Sequence, residues 1–69
     1  MSTLEELRLE ARMSQAALAR AADIDRLTYV RAESGSPVQD TTAYAIAQAL
    51  SRILGRRIDH RSIQGLAII

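Results

Sequence analysis

Cysteine is missing from the chain. Its absence excludes a disulfide framework, a thiolate metal site and a cysteine nucleophile, and it fits a reducing cytoplasm. Phenylalanine and tryptophan are missing too, which leaves Tyr29 and Tyr44 as the aromatics. A core must then be assembled from Leu, Ile, Val and many alanines, a composition that favours closely packed helices and an all-α fold. There is no long hydrophobic run either: the apolar tail "LAII" is far too short to cross a bilayer. The opening "MSTLEELRLE" is acidic and periodic rather than basic and then apolar, so no signal peptide is expected. With 69 residues there is room for one small core, and residues 1–69 are expected to form a single domain.

Lysine is absent, so all nine basic residues are arginine, and the net charge is only +1. The distribution is uneven. Arg52, Arg56, Arg57 and Arg61 crowd one segment opposed locally by Asp59, which reads either as a solvated face or as a surface that attracts a polyanion.

What the sequence does contain is helical punctuation. In "STLEELRLEAR", Ser2 or Thr3 can cap a helix with Glu5 or Glu6 three residues on, and Leu4, Leu7 and Ala11 recur at helical spacing. Ser14 can cap a second helix with Leu18, Ala19 and Ala22 as its apolar stripe. Asp25 can cap a third that stops at Gly35, a residue suited to the left-handed position after a helix. "DTTAYAIAQALSRILG" places Ala43, Ile46, Ala47, Leu50, Ile53 and Leu54 on one face of a fourth helix from Asp40 to Gly55. The tail "RRIDHRSIQGLAII" is open between a short fifth helix capped by Asp59 and an extended strand favoured by Gly65 and the β-branched end.

The second and third helices, in "SQAALARAADIDRLTYVRAESGS" (residues 14–36), are separated by only Asp23, Ile24 and Asp25. Ala19 and Ala22 are small enough to let the next helix cross closely, and Ile24 can plug the corner. Such a pair holds its second helix away from the body, where a helix matches the width of a DNA major groove.

"MSQAALARAADIDRLTYVRAESG" followed by "TTAYAIAQAL" resembles the Xre/Cro-like helix-turn-helix family of bacterial and phage regulators, over roughly residues 4–58. The agreement lies in the Ser-Gln opening of helix two, Leu18-Ala19, Ala22 and Ile24 around the turn, Glu33 before Gly35, and "IAQAL" in helix four. The resemblance implies a bundle of four or five short helices that binds operator DNA as a dimer to regulate transcription. It implies that Ser14 caps helix two and that Gln15 lies at its exposed start near phosphate and the first bases, where free amides and the helix dipole favour an anion. Arg26, Leu27, Thr28 and Arg31 take the outward positions of the recognition helix. Arg26 or Arg31 is suited to a forked pair with guanine and Thr28 to a base or phosphate, while Leu27 suits a thymine methyl or a neighbouring side chain. Arg8 and Glu33 match positions that form an internal ion pair, which fixes helix orientation more than it adds stability.

Three positions depart from the family pattern. Asp23 replaces the glycine common in the turn, and Arg12 stands where helix one often ends in glycine. Tyr29 occupies a position usually held by a buried Ile or Val, with the smaller Ala32 one turn on, an exchange that keeps volume but leaves a hydroxyl in need of a partner.

Catalysis is not expected: His60 is the lone histidine, and the carboxylates sit as caps or first-turn charges, "DHR" at residues 59–61 reading as a polar helix start. No metal cluster or phosphate-binding glycine loop is apparent, so no metal or other cofactor is expected. Ile63, Leu66, Ile68 and Ile69 are too apolar for a solvated tail; they either close the core or, as the favoured reading has it, join two copies. The expectation is therefore a dimeric, cytoplasmic, nucleoid-associated DNA-binding repressor without membrane contact that reads an operator of two half-sites. The alternatives are a protein-interaction module on the same scaffold, signalled by Asp23, Asp25 and the low net charge, or an antitoxin that represses its own operon.

Overall fold

The computed structural model describes residues 2–69. Four α-helices follow one another: α1 (Leu4–Glu10), α2 (Gln15–Ala21), α3 (Arg26–Glu33) and α4 (Asp40–Leu54), then one 3₁₀ turn at His60–Ser62. Each start has a local cause. The Thr3 hydroxyl accepts from the Glu6 amide while the Glu6 carboxylate accepts from the Thr3 amide, a reciprocal capping box that begins α1. Ser14 accepts from the Ala17 amide to begin α2, and Asp25 accepts from the Leu27 amide to begin α3. α4 has no side-chain cap, but Asp40 in its first turn opposes the helix dipole.

The helix ends explain the two unusual residues. After α2, the Asp23 amide donates to the Arg20 carbonyl and the Ile24 amide to the Ala19 carbonyl, a Schellman closure with Asp23 left-handed at φ 58°. The same pair of bonds closes α1 around Arg12 at φ 57° and α3 around Gly35. A non-glycine residue in this region costs about 1–2 kcal/mol, less for aspartate. Replacement by glycine gives part of that back to the freer unfolded chain. Arg12→Gly is expected to raise stability by about 0.5–1 kcal/mol and Asp23→Gly by less, read from urea midpoints.

The core is built from Leu4, Leu7, Leu18, Tyr29, Val38, Ile46, Leu50 and Ile63, with six alanines letting the helices approach. Tyr29 and Ala32 are both fully inside, so the larger ring fills what the smaller neighbour leaves. Ile53, which the periodicity places on the inner face of α4, is 41% exposed, whereas Leu54 beside it packs against the core.

The tail is neither a full helix nor a strand. After the 3₁₀ turn capped by Asp59, it runs extended and makes two isolated parallel bridges, Gln64 to Thr3 and Ile68 to Val38. Val38 donates to the Ala67 carbonyl at 2.9 Å and Ile69 to the Val38 carbonyl at 2.8 Å. In this routing Ile63 is buried and Leu66 and Ile68 pack, partly buried, against the chain's own core, as the core-closing alternative for the tail expects. Of that group Ile69 alone stays outside, 81% exposed. Deleting a buried isoleucine costs about 2–5 kcal/mol, and a chain of this size has a total of roughly 3–10. Truncation after Asp59 is therefore expected to abolish the cooperative urea transition followed by circular dichroism, not to release a folded monomer.

Candidate nucleic-acid interface

α2 and α3 pack against each other across the closed turn at Asp23, with Ile24 set against the core and Ala19 and Ala22 buried at the crossing. Their inward residues are thereby fixed, and so are the outward ones. Along α3, Arg26, Leu27 and Arg31 face solvent and Thr28 is half-buried. Leu27 is 54% exposed. It packs on no neighbour that covers it, although an apolar side chain at this position gains nothing from water. Among the described residues neither Arg26 nor Arg31 is in an ion pair or a side-chain hydrogen bond, and the Arg31 backbone carbonyl accepts from the Ser34 hydroxyl and the Ser36 amide.

A polar cluster ties this presentation to α1. Arg8 Nε donates to Glu33 Oε2 at 2.9 Å and Nη2 to Oε1 at 3.2 Å, a forked pair whose side chains are 13% and 9% exposed. Arg8 Nη1 also donates to the Met13 carbonyl, and Gln15 Nε2 donates to Glu33 Oε1 at 3.1 Å. The start of α2, the end of α3 and the body of α1 are thus joined through one carboxylate. Burial acts to raise the Glu33 carboxyl, but the hydrogen bonds and charge of Arg8, with Gln15, outweigh it and hold the group below its ordinary range. The Tyr29 hydroxyl lies beside this cluster without a well-formed hydrogen bond. Burial first, and then the proximity of the Glu33 carboxylate as acceptor and as charge, push its ionisation far above the usual value, so the phenol stays neutral.

Gln15 therefore sits at the start of α2 with its amide nitrogen engaged inward and its carbonyl oxygen uncommitted, next to the Ser14 cap. The structure brings Ser14, Gln15, Arg8 and Glu33 together and lays Arg26, Leu27, Thr28 and Arg31 along one short helix. It does not keep the four C-terminal arginines as a free basic patch. Arg52 donates to the Ala21 carbonyl at the end of α2, and Arg56 forms a forked pair with Glu10. Only the long-range fold shows these two assignments, because the partners are 31 and 46 residues away. His60 Nε2 meets Asp40 Oδ1 at 2.8 Å, and its ring stands edge-on to Tyr44. Among the described residues no group of three His, Cys, Asp or Glu converges on a metal-sized site, and no helix is long and apolar enough to cross a membrane.

Comparison with known proteins agrees with this geometry. The sequence model of the helix-turn-helix family matches residues 4–59, from the start of α1 to the cap of the 3₁₀ turn. The protein belongs to the Xre/Cro-like helix-turn-helix family. Neither the search of curated proteins nor the search of solved structures found a match. Family membership makes the chain a DNA-binding helix-turn-helix regulator by class. The family is regulatory and not enzymatic.

Proposed function

We propose that this helix-turn-helix protein is a sequence-specific repressor that binds operator DNA as a homodimer, one copy on each of two half-sites, in the cytoplasm at the nucleoid. The observation that carries the reading is the outward set Arg26, Leu27 and Arg31, exposed and without ion pairs among the described residues, on a helix whose orientation is keyed by Arg8 and Glu33. Two guanidinium forks flanking an apolar side chain suit guanine edges and a thymine methyl in the major groove. Ser14 and Gln15 place the amides of α2 toward a phosphate. Ile69, exposed beside the Val38 bridge, and the partly buried Leu66 and Ile68 are the parts of the expected dimer segment that retain apolar surface, so the two-fold contact is small and forms on the operator.

Selection of bound sequences from a random duplex pool tests the reading; one enriched inverted repeat supports it and an unenriched pool overturns it. On the selected site, Arg26→Ala is expected to relax preference at one base pair by about 1–3 kcal/mol, whereas Gln15→Ala weakens all sequences more evenly. Equal losses for Arg26→Ala on specific and random DNA would remove it from the base-reading set.

A further inference from the structure

A groove of about 660 Å³ runs between the outer face of α4 and the chain that turns back after it, and it shares no residue with the DNA-facing set. The aliphatic side chains in its lining are those of Ala47 and the half-buried Ile58. One wall is the Tyr44 ring, 53% exposed yet held at both ends: Gln48 donates to its hydroxyl at 2.9 Å, and His60 stands edge-on to it at 5.7 Å between centroids. The rim carries Arg52 and Arg57, neither with a carboxylate partner, and Arg56, which is paired with Glu10, beside the carboxylate of Asp59. Arg57 has no hydrogen-bond or ion-pair partner among the described residues, and Arg52 and Arg56 keep unused N–H donors beyond those given to Ala21 and Glu10.

We propose that this groove docks an acidic amphipathic segment of a partner protein, with its carboxylates on the arginine rim and an apolar side chain on Ala47 and Ile58. The charge balance selects the occupant. A second copy applying the same face would set the guanidinium groups of Arg52 and Arg57, which have no carboxylate partner, against their own kind. A phosphate backbone satisfies the rim but brings no side chain for Ala47 and Ile58, whereas a segment alternating acidic and apolar residues satisfies both. The site also reaches the helix-turn-helix. Arg52 holds the Ala21 carbonyl in the last turn of α2, just ahead of the Asp23 closure, so a carboxylate that draws Arg52 into the groove competes for that bond.

The test is an NMR titration of the whole chain at about 0.1 M salt with two short synthetic helical peptides. Both carry the same glutamates, one with leucines at helical spacing and the other with serines in their place. The leucine peptide is expected to shift the amides of Gln48, Ser51 and Ile58 saturably, with smaller shifts at Asp23 and Ile24. The serine peptide should bind at least about tenfold more weakly. Arg57→Glu sets like charge against the peptide and should weaken binding by about tenfold or more. Tyr44→Ser, which removes the wall without changing charge, should weaken it by a similar factor. Both positions are exposed, and circular dichroism checks that each variant is folded. No saturable shift up to about 1 mM peptide, equal binding of the two peptides, or unchanged binding by a folded variant would overturn the proposal. The same shifts produced by a short random duplex would also overturn it and assign the groove to nucleic acid.

Discussion

Arg8→Met alone, or Glu33→Leu alone, is expected to remove about 3–5 kcal/mol of stability, because each leaves an uncompensated charge inside the protein. That is most of the roughly 3–10 kcal/mol available to a chain of this length, so either variant should be largely unfolded at room temperature. The double variant is expected to recover to within about 1 kcal/mol of the parent, since a buried pair exchanged for apolar side chains of similar volume is often neutral. Urea titrations of the four proteins close the cycle; additive losses would show that the two charges do not act as a pair. The pH dependence carries the same signature. Glu33 ionises below its ordinary value near 4.5 in the folded protein, so its contribution is complete above that value. The contribution is lost as the pH falls through the folded value, where the carboxylate takes up a proton and releases Arg8. In the double variant the acid side of the stability profile should flatten. What the pair adds is orientation. Glu33 holds Arg8 and Gln15 at once, so the angle at which α3 leaves the body and the side chain at the start of α2 are set by one carboxylate.

The local signals were readable along the chain and the distant ones were not. Ser14, Asp25 and Gly35 act where capping chemistry places them, because a cap needs only residues within one turn. Arg12 and Asp23 stand in glycine positions, and each adopts the left-handed conformation itself, held by two backbone hydrogen bonds. The tail was ambiguous for a physical reason: its bridges to Thr3 and Val38 join segments far apart in sequence, and periodicity carries no record of such pairing. The same reason hid the partners of Arg52 and Arg56, which looked like members of a free basic cluster and are bound within the chain. At the candidate interface, the position of Leu27 was legible but its exposure was not, since only the packed structure shows that no neighbour covers it. The Arg8 and Glu33 pair came from family resemblance; the contact of Gln15 with the same carboxylate needed the structure.

Operator affinity is expected to fall by about three to five decades between roughly 50 and 200 mM salt if two copies together neutralise about 6–10 phosphates. The structure limits which groups can contribute. Arg8 and Arg56 are compensated by Glu33 and Glu10, which leaves Arg12, Arg20, Arg26 and Arg31 as exposed cations on the first three helices and the turn that ends α1. With the free amides at Ser14 and Gln15, about four phosphates per copy is a reasonable load. The log–log slope is then near −3.6 for one copy, or about two decades across a fourfold change in salt, and twice both figures for two copies. The slope therefore counts protomers. Because the tail packs on its own core and leaves Ile69 as its one fully exposed apolar side chain, sedimentation should show a monomer at micromolar concentration and a complex of two copies on one operator. On a half-site duplex the slope should halve, and the affinity should drop because the second contact is no longer intramolecular. A slope equal on half-site and full operator would mean that one copy makes the whole complex, and a flat salt response would move the outward face of α3 from nucleic acid to a protein partner.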